Sequence, residues 1–117
     1  MAETTQLELV TPARVLVSKV AEMVVVPGSE GLFGVLPRHS ALLASLQRGV
    51  VEVYESGKVI YRFMIDGGLA DVTPEGVTIL AERAVDLSVT TSQELKERAA
   101  NAIDSEADFL NFAIEAL

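Results

Sequence analysis

The stretch Lys58-Val59-Ile60-Tyr61-Arg62-Phe63-Met64-Ile65-Asp66-Gly67-Gly68-Leu69-Ala70-Asp71-Val72-Thr73-Pro74-Glu75-Gly76-Val77-Thr78-Ile79-Leu80-Ala81-Glu82 decides the fold class. Val59, Tyr61, Phe63 and Ile65 alternate with Lys58, Arg62 and Asp66, and Val77, Ile79 and Ala81 alternate with Thr78 and Glu82, the period-two signature of half-buried strands. Asp66-Gly67-Gly68 and Thr73-Pro74-Glu75-Gly76 punctuate these runs as turns. The paired glycines permit either a type I′ hairpin turn or a close approach of two backbones. Outward from here the alternation recurs at Leu7 and Leu9 among Gln6 and Glu8, at Val15 and Val17 among Leu16 and Ser18, and at Val51 and Val53 around Glu52. Further turn signals stand at Thr11-Pro12, Pro27-Gly28 and Ser56-Gly57. Met23-Val24-Val25-Val26 breaks the alternation and predicts a strand covered on both faces. Many short antiparallel strands with no helix between them predict a mainly β fold, a sandwich or flattened barrel.

The texture changes near residue 90. All eight Gly lie between Gly28 and Gly76, all four Pro between Pro12 and Pro74, and the last of sixteen Val is Val89. Residues 91–117 hold six Ala and no Gly, Pro or Val, a composition that favours helix. Residues 1–90 therefore read as β and 91–117 as α, with Val85-Asp86-Leu87-Ser88-Val89-Thr90 as the linker. Thr91-Ser92-Gln93-Glu94 has capping-box spacing and predicts a helix start. Leu95, Ala99, Ala102, Ile103, Ala107, Leu110, Ile114 and Leu117 follow at three- and four-residue steps, opposite Glu97, Arg98, Asn101, Asp104 and Asp108. The pattern fits one rod or a hairpin broken at Asp104-Ser105-Glu106. Such an alanine-rich stripe buries little area, which predicts weak self-docking and leaves room for a mobile arm that seeks another subunit.

Composition removes most chemistry. The chain has 117 residues, a net charge of −8, one His and no Cys. Disulfides, thiolate metal sites and cysteine nucleophiles are excluded, and multi-histidine metal centres with them. The acidic balance argues against nucleic acid and against direct docking on anionic lipid. No apolar run reaches the ~18 residues of a membrane helix, and Met1-Ala2-Glu3-Thr4-Thr5 lacks a signal-peptide plan, so a soluble intracellular chain is expected. The glycine cluster Gly28-Ser29-Glu30-Gly31-Leu32-Phe33-Gly34 runs into Val35-Leu36-Pro37 rather than into a helix, unlike a phosphate cradle. It reads as a hairpin, or as an exposed contact loop with Leu32 and Phe33 at its tip. His39 would need an adjacent nucleophile or orienting acid to act as a base, with Ser40, Glu30 and Asp66 the candidates; the alternative is a hydrogen-bonding loop anchor. A stand-alone β-sandwich binding module, for example for carbohydrate, and a cupin-like enzyme are the rival classes. The first lacks an aromatic strip and the second lacks the histidines of a metal centre.

The string Val26-Pro27-Gly28-Ser29-Glu30-Gly31-Leu32-Phe33-Gly34-Val35-Leu36-Pro37-Arg38-His39 resembles the epsilon subunit family of bacterial F-type ATP synthases, in which a strand runs into G-S-E-G-x-[FL]-G-x-[LY]-P-x-H. Leu7-Glu8-Leu9-Val10-Thr11-Pro12, Ile65-Asp66-Gly67-Gly68-Leu69-Ala70-Asp71-Val72 and Val77-Thr78-Ile79-Leu80-Ala81-Glu82-Arg83-Ala84 are similar to further family strands in the same order. The resemblance implies a ten-stranded β-sandwich domain over 1–86 and a C-terminal helical region over 87–117. It implies a non-catalytic central-stalk subunit, without cofactor or metal, that couples proton-driven c-ring rotation to the gamma subunit and hence to ATP synthesis. By position, Ser29, Glu30, Gly31, Leu32, Phe33, Arg38 and His39 match the ring-facing end, Thr11 the gamma-facing region, and Leu95, Ile103, Leu110 and Ile114 the interacting side of the tail, whose partners include the catalytic beta subunits. The implied location is peripheral, on the cytoplasmic face of the bacterial inner membrane. Two departures are legible. Residues 105–117 leave only about 20 Å of helix for the long second helix of many family members, so weak or absent inhibition of ATP hydrolysis is expected. The family's nucleotide signature [IL]-D-x-x-R-A is matched by Leu87-Ser88-Val89-Thr90-Thr91-Ser92, with Ser88 and Thr91 at the Asp and Arg positions, so nucleotide sensing does not carry over.

Overall fold

The computed structural model describes residues 4–87, 92–100 and 104–116. Within the decisive stretch, β6 (Gly49–Glu55) and β7 (Lys58–Ile65) form an antiparallel hairpin. Its two connecting residues, Ser56 and Gly57, have φ of 54° and 74°, as a type I′ turn requires. Phe63 and Ile65 are buried as the alternation predicts, whereas Val59 is exposed and Ile60 joins Tyr61 against the core. The cause is a register shift: Val53 faces Tyr61 and Tyr54 faces Val59, so Ile60 is an extra, bulged residue that exchanges the two faces. The same device recurs between β1 (Thr5–Val10) and β2 (Val15–Ala21). Leu9 faces Val17 and Val10 faces Val15, which leaves Leu16 extra and turns Val15 out to solvent.

The remaining strands are β3 (Met23–Gly28), β4 (Gly31–Val35), β5 (Leu42–Leu46), β8 (Gly68–Thr73), β9 (Gly76–Leu80) and β10 (Ala84–Asp86). All ten belong to one sheet with the path β10-β7-β6-β3-β5-β8-β9-β1-β2, and β4 pairs with β3 off that path. The β1–β9 pair is parallel and the other ladders are antiparallel. β3 pairs with β6 at Met23–Val25 and with β5 at Gly28, so the ribbon folds over at this strand into two facing halves. Val24, Val26, Val51, Val53, Phe63 and Ile65 from one half meet Leu7, Leu9, Ala70, Val72, Val77 and Ile79 from the other. The covering of β3 on both faces is corrected. Val24 and Val26 are fully buried, but Met23 and Val25 on the second face are only half-buried. β7 and β8 do not pair; Asp66-Gly67-Gly68 carries the chain from one half to the other. A Cβ on Gly68, whose φ is +135°, would lie 2.0 Å from the Leu80 carbonyl oxygen. Of the two readings of the paired glycines, close backbone approach is therefore the one realised.

Met64 lies between Phe63 and Ile65 and so points away from the sandwich interior, yet it too is fully buried. The cover is a third layer. Helices α1 (Ser92–Ala100) and α2 (Asp104–Ala116) pack on each other as a hairpin, not as one rod. Leu95, Phe109, Leu110 and Ala113 close over Met64, Val85 and Leu87 in a second apolar cluster. The predicted linker is corrected at its first half, because Val85 pairs with Met64 and the Leu87 N–H donates to the Arg62 carbonyl at 2.8 Å, making a tenth strand. Ser88, Val89, Thr90 and the capping residue Thr91 lie outside the described residues. So do Ala102, Ile103 and Leu117 of the predicted stripe. The expectation of weak docking overlooked Phe109, whose fully buried ring supplies the bulk that the alanines lack.

Candidate functional site

β3 and β4 make a hairpin whose last pair is Gly28 with Gly31, leaving Ser29 and Glu30 as the exposed tip. The neck is narrow: a Cβ on Gly28 would lie 2.8 Å from the Gly31 carbonyl oxygen and 2.9 Å from the Phe33 ring. The Ser29 N–H donates to the Ser45 carbonyl and the Gln47 N–H to the Pro27 carbonyl, each at 2.9 Å, which pins the hairpin along β5. Between them runs a groove of about 350 Å³ walled by Phe33 and by Leu42 and Leu43. Leu32 is 70% exposed and Leu43 68%, while Phe33 is half-buried and packs against the main core. The exposed pair is thus Leu32 and Leu43 rather than Leu32 and Phe33.

Arg38 and His39 occupy the next turn. Arg38 takes a positive φ of 62°, and its N–H donates to the Pro74 carbonyl at 3.1 Å, fastening this turn to the β8–β9 connection. His39 Nδ1 lies 2.8 Å from the Ser40 carbonyl. A carbonyl only accepts, so Nδ1 carries the proton and the ring anchors its own loop. Asp66, one acid weighed as its partner, is instead bonded to Arg48 and Arg83. β5 begins beside this turn, since Leu42 pairs with Val72, and three residues later reaches Ser45 beside the hairpin. The two segments predicted to face the ring therefore flank one strand, roughly 10 Å apart.

Thr11 lies elsewhere. Its N–H and carbonyl exchange bonds with Arg14 at 3.0 and 3.2 Å, closing the β1–β2 turn. Val10, Thr11 and Pro12 join Gly68, Leu69, Leu80 and Ala81 around a largely apolar groove of about 360 Å³, with Leu69 and Leu80 exposed. Along β8, Thr11 is level with the Gly68 end and Arg38 with the end past Thr73, a separation of about 17 Å at ~3.4 Å per residue. Of the tail residues, Leu95 and Leu110 are buried and Ile114 packs against the same cluster, all facing the sandwich; Ile103 is outside the described residues. Sequence reasoning missed Leu43, Leu69 and Leu80, whose exposure follows from ladder register and not from their type. Among the described residues, no group of three or more His, Asp or Glu is arranged to hold a metal ion, and no helix is long and apolar enough to cross a membrane.

Residues 4–87 match the family described as ATP synthase, Delta/Epsilon chain, beta-sandwich domain. This chain belongs to the ATP synthase epsilon-chain family. The epsilon chain of Rhodospirillum rubrum is 46% identical over 104 residues, covering 89% of this chain and 78% of that one. The epsilon chain of Hyphomonas neptunium is 48% identical over 95 residues, covering 81% and 70%. A chain in the cryo-EM structure of the Euglena gracilis mitochondrial ATP synthase, OSCP/F1/c-ring in rotational state 1, superposes with a TM-score of 0.68 at 27% identity, covering 84% of this epsilon-family chain and 62% of that chain. A chain of the Tetrahymena thermophila mitochondrial ATP synthase central stalk/c-ring shares the fold, with a TM-score of 0.60 at 14% identity.

Proposed function

We propose that this chain is the epsilon-type rotor subunit of an F-type ATP synthase, a structural and regulatory part and not a catalytic one. It couples c-ring rotation to the gamma subunit from a peripheral position on the cytoplasmic face of the membrane. The observation that carries the division of labour is the presence of two exposed apolar patches, Leu32 with Leu43 and Leu69 with Leu80, on neighbouring strands of one half-sheet. Leu32 and Leu43, beside Ser29, Glu30, Gly31, Arg38 and His39, form the patch proposed to meet the c-ring. Leu69 and Leu80 beside Thr11 form the patch proposed to meet gamma. Exposed apolar surface of this kind marks interaction sites. Both patches stand on the hydrogen-bonded strands β5, β8 and β9, so a load entering at one is delivered to the other without a hinge. The helical hairpin keeps Leu95 and Leu110 turned inward, which supports weak inhibition of ATP hydrolysis and little contact with the catalytic beta subunits.

Gel filtration of this chain mixed with the gamma subunit of its own enzyme tests the reading. A stable co-eluting complex is expected, and separate elution refutes it. Changing Leu32 and Leu43 together to Ser is expected to lower coupled ATP synthesis severalfold while the gamma complex still forms. Unchanged coupling removes the c-ring assignment.

A further inference from the structure

Asp66 closes β7 at the crossing between the two halves of the sandwich. Its Oδ1 accepts from Arg48 Nε at 2.9 Å and its Oδ2 from Arg83 Nη1 at 2.8 Å, and its own N–H donates to the Arg83 carbonyl at 3.1 Å. These three residues all belong to the β part. The guanidinium of Arg48, however, stands 5.7 Å from the centroid of Phe109 and 5.9 Å from that of Phe112, both on α2. A cation within about 6 Å of an aromatic face is attracted to it, and a planar guanidinium can stack on rings while bonding a carboxylate at its edge. Phe112 is among the exposed large side chains, and the burial of Phe109 is part of a cluster separate from the main core. The side chain of Arg48 thus reaches over from the sheet to the helical hairpin, beside the small satellite core that holds it.

We infer that Asp66 and Arg48 form a clasp that sets how firmly the helical hairpin is held on the sandwich. Asp66 is the positioning residue: its carboxylate bonds Arg48 and Arg83 of the β part, and it acts by fixing the guanidinium of Arg48 over the two rings of α2. Opening of the hairpin is a local event with its own free energy, distinct from unfolding of the sandwich. Removing the clasp promotes that local event and leaves the sandwich core as it was. The side chains of Arg48 and Asp66 are 30% and 17% exposed, so the clasp weakens with salt without being abolished.

Amide hydrogen exchange on the full chain, read separately for α1 and α2 and for the inner strands β1, β6 and β9, tests this. Asp66→Asn is expected to speed exchange in both helices about five- to tenfold while the inner strands change less than about twofold. In an Arg48→Met background, Asp66→Asn is expected to add almost nothing in the helices, because its effect passes through the guanidinium. Should Asp66→Asn disturb the β7–β8 crossing, Phe112→Leu keeps the test open, since it leaves every charge in place and removes one ring; about a two- to threefold rise confined to the helices is expected. Equal acceleration in strands and helices, additive effects of Asp66→Asn and Arg48→Met, or no response to Phe112→Leu would each overturn the clasp.

Discussion

Among the described residues, Thr5 holds the one buried side-chain oxygen without a hydrogen-bond partner, on a residue that is 1% exposed. An unsatisfied buried hydroxyl is costly, and valine has the same shape without it. Thr5→Val should therefore stabilise the chain by about 1 kcal/mol, read as a rise of several degrees in the thermal midpoint. Gly68 is the opposite case. A methyl there meets the Leu80 carbonyl and demands an unfavourable φ, so Gly68→Ala should cost more than about 2 kcal/mol in urea unfolding, against a few tenths for an exposed position. The paired glycines are visible in the sequence as a special place. Which backbone they must clear is not, because Leu80 is brought there only by the β8–β9 ladder. The buried Thr5 was invisible for the same reason: threonine at a strand start ordinarily faces solvent, and its burial depends on what packs over it.

At the scale of elements, period-two alternation located β1, β6, the far end of β7 and β9. It failed at Val15 and Val59, each beside a bulge, since one inserted residue reverses the faces that follow and leaves no mark in composition. β10 escaped because three residues are too few to show a period. The tail was legible as helix, but Phe109 and Ala113 were not recognised as its packing residues. The three- and four-residue steps of the stripe run straight through Asp104, with rod and hairpin left open, whereas α2 carries its own phase. We propose that the sandwich is the autonomous unit and the helical hairpin its dependent. A chain ending at residue 87 is then expected to keep its strand circular dichroism and unfold cooperatively, but to associate through the uncovered Met64 and Val85. Adding Met64→Gln should return it to a monomer in analytical ultracentrifugation. Loss of the β signal on truncation would show that both layers fold together.

At the scale of the whole molecule, the residues proposed to face the ring, Ser29 to Phe33, Arg38 and His39, were legible as a group because family resemblance carries whole motifs. Their flanking of β5, and the separation of Thr11 from Arg38 along β8, were legible only in three dimensions. If the docked hairpin is the working arrangement, deleting residues 88–117 should change ATP hydrolysis by the assembled enzyme less than about twofold, since no group argued to face the partners is lost; the closing of one cluster by a few side chains is a local matter. A large activation would show that the hairpin leaves its seat and reaches the catalytic subunits. The double role of β3 has a mechanical consequence. Two separate sheets pressed face to face can slide over one another along an apolar seam, because dispersion forces offer little resistance to lateral displacement. Here the upper and lower layers are consecutive parts of a single ladder, joined where β3 meets β6 at one end and β5 at the other. A torque applied across the layers is resisted by backbone hydrogen bonds loaded in shear, which makes the body of the molecule torsionally stiff even though its interior is apolar, with valine its commonest residue.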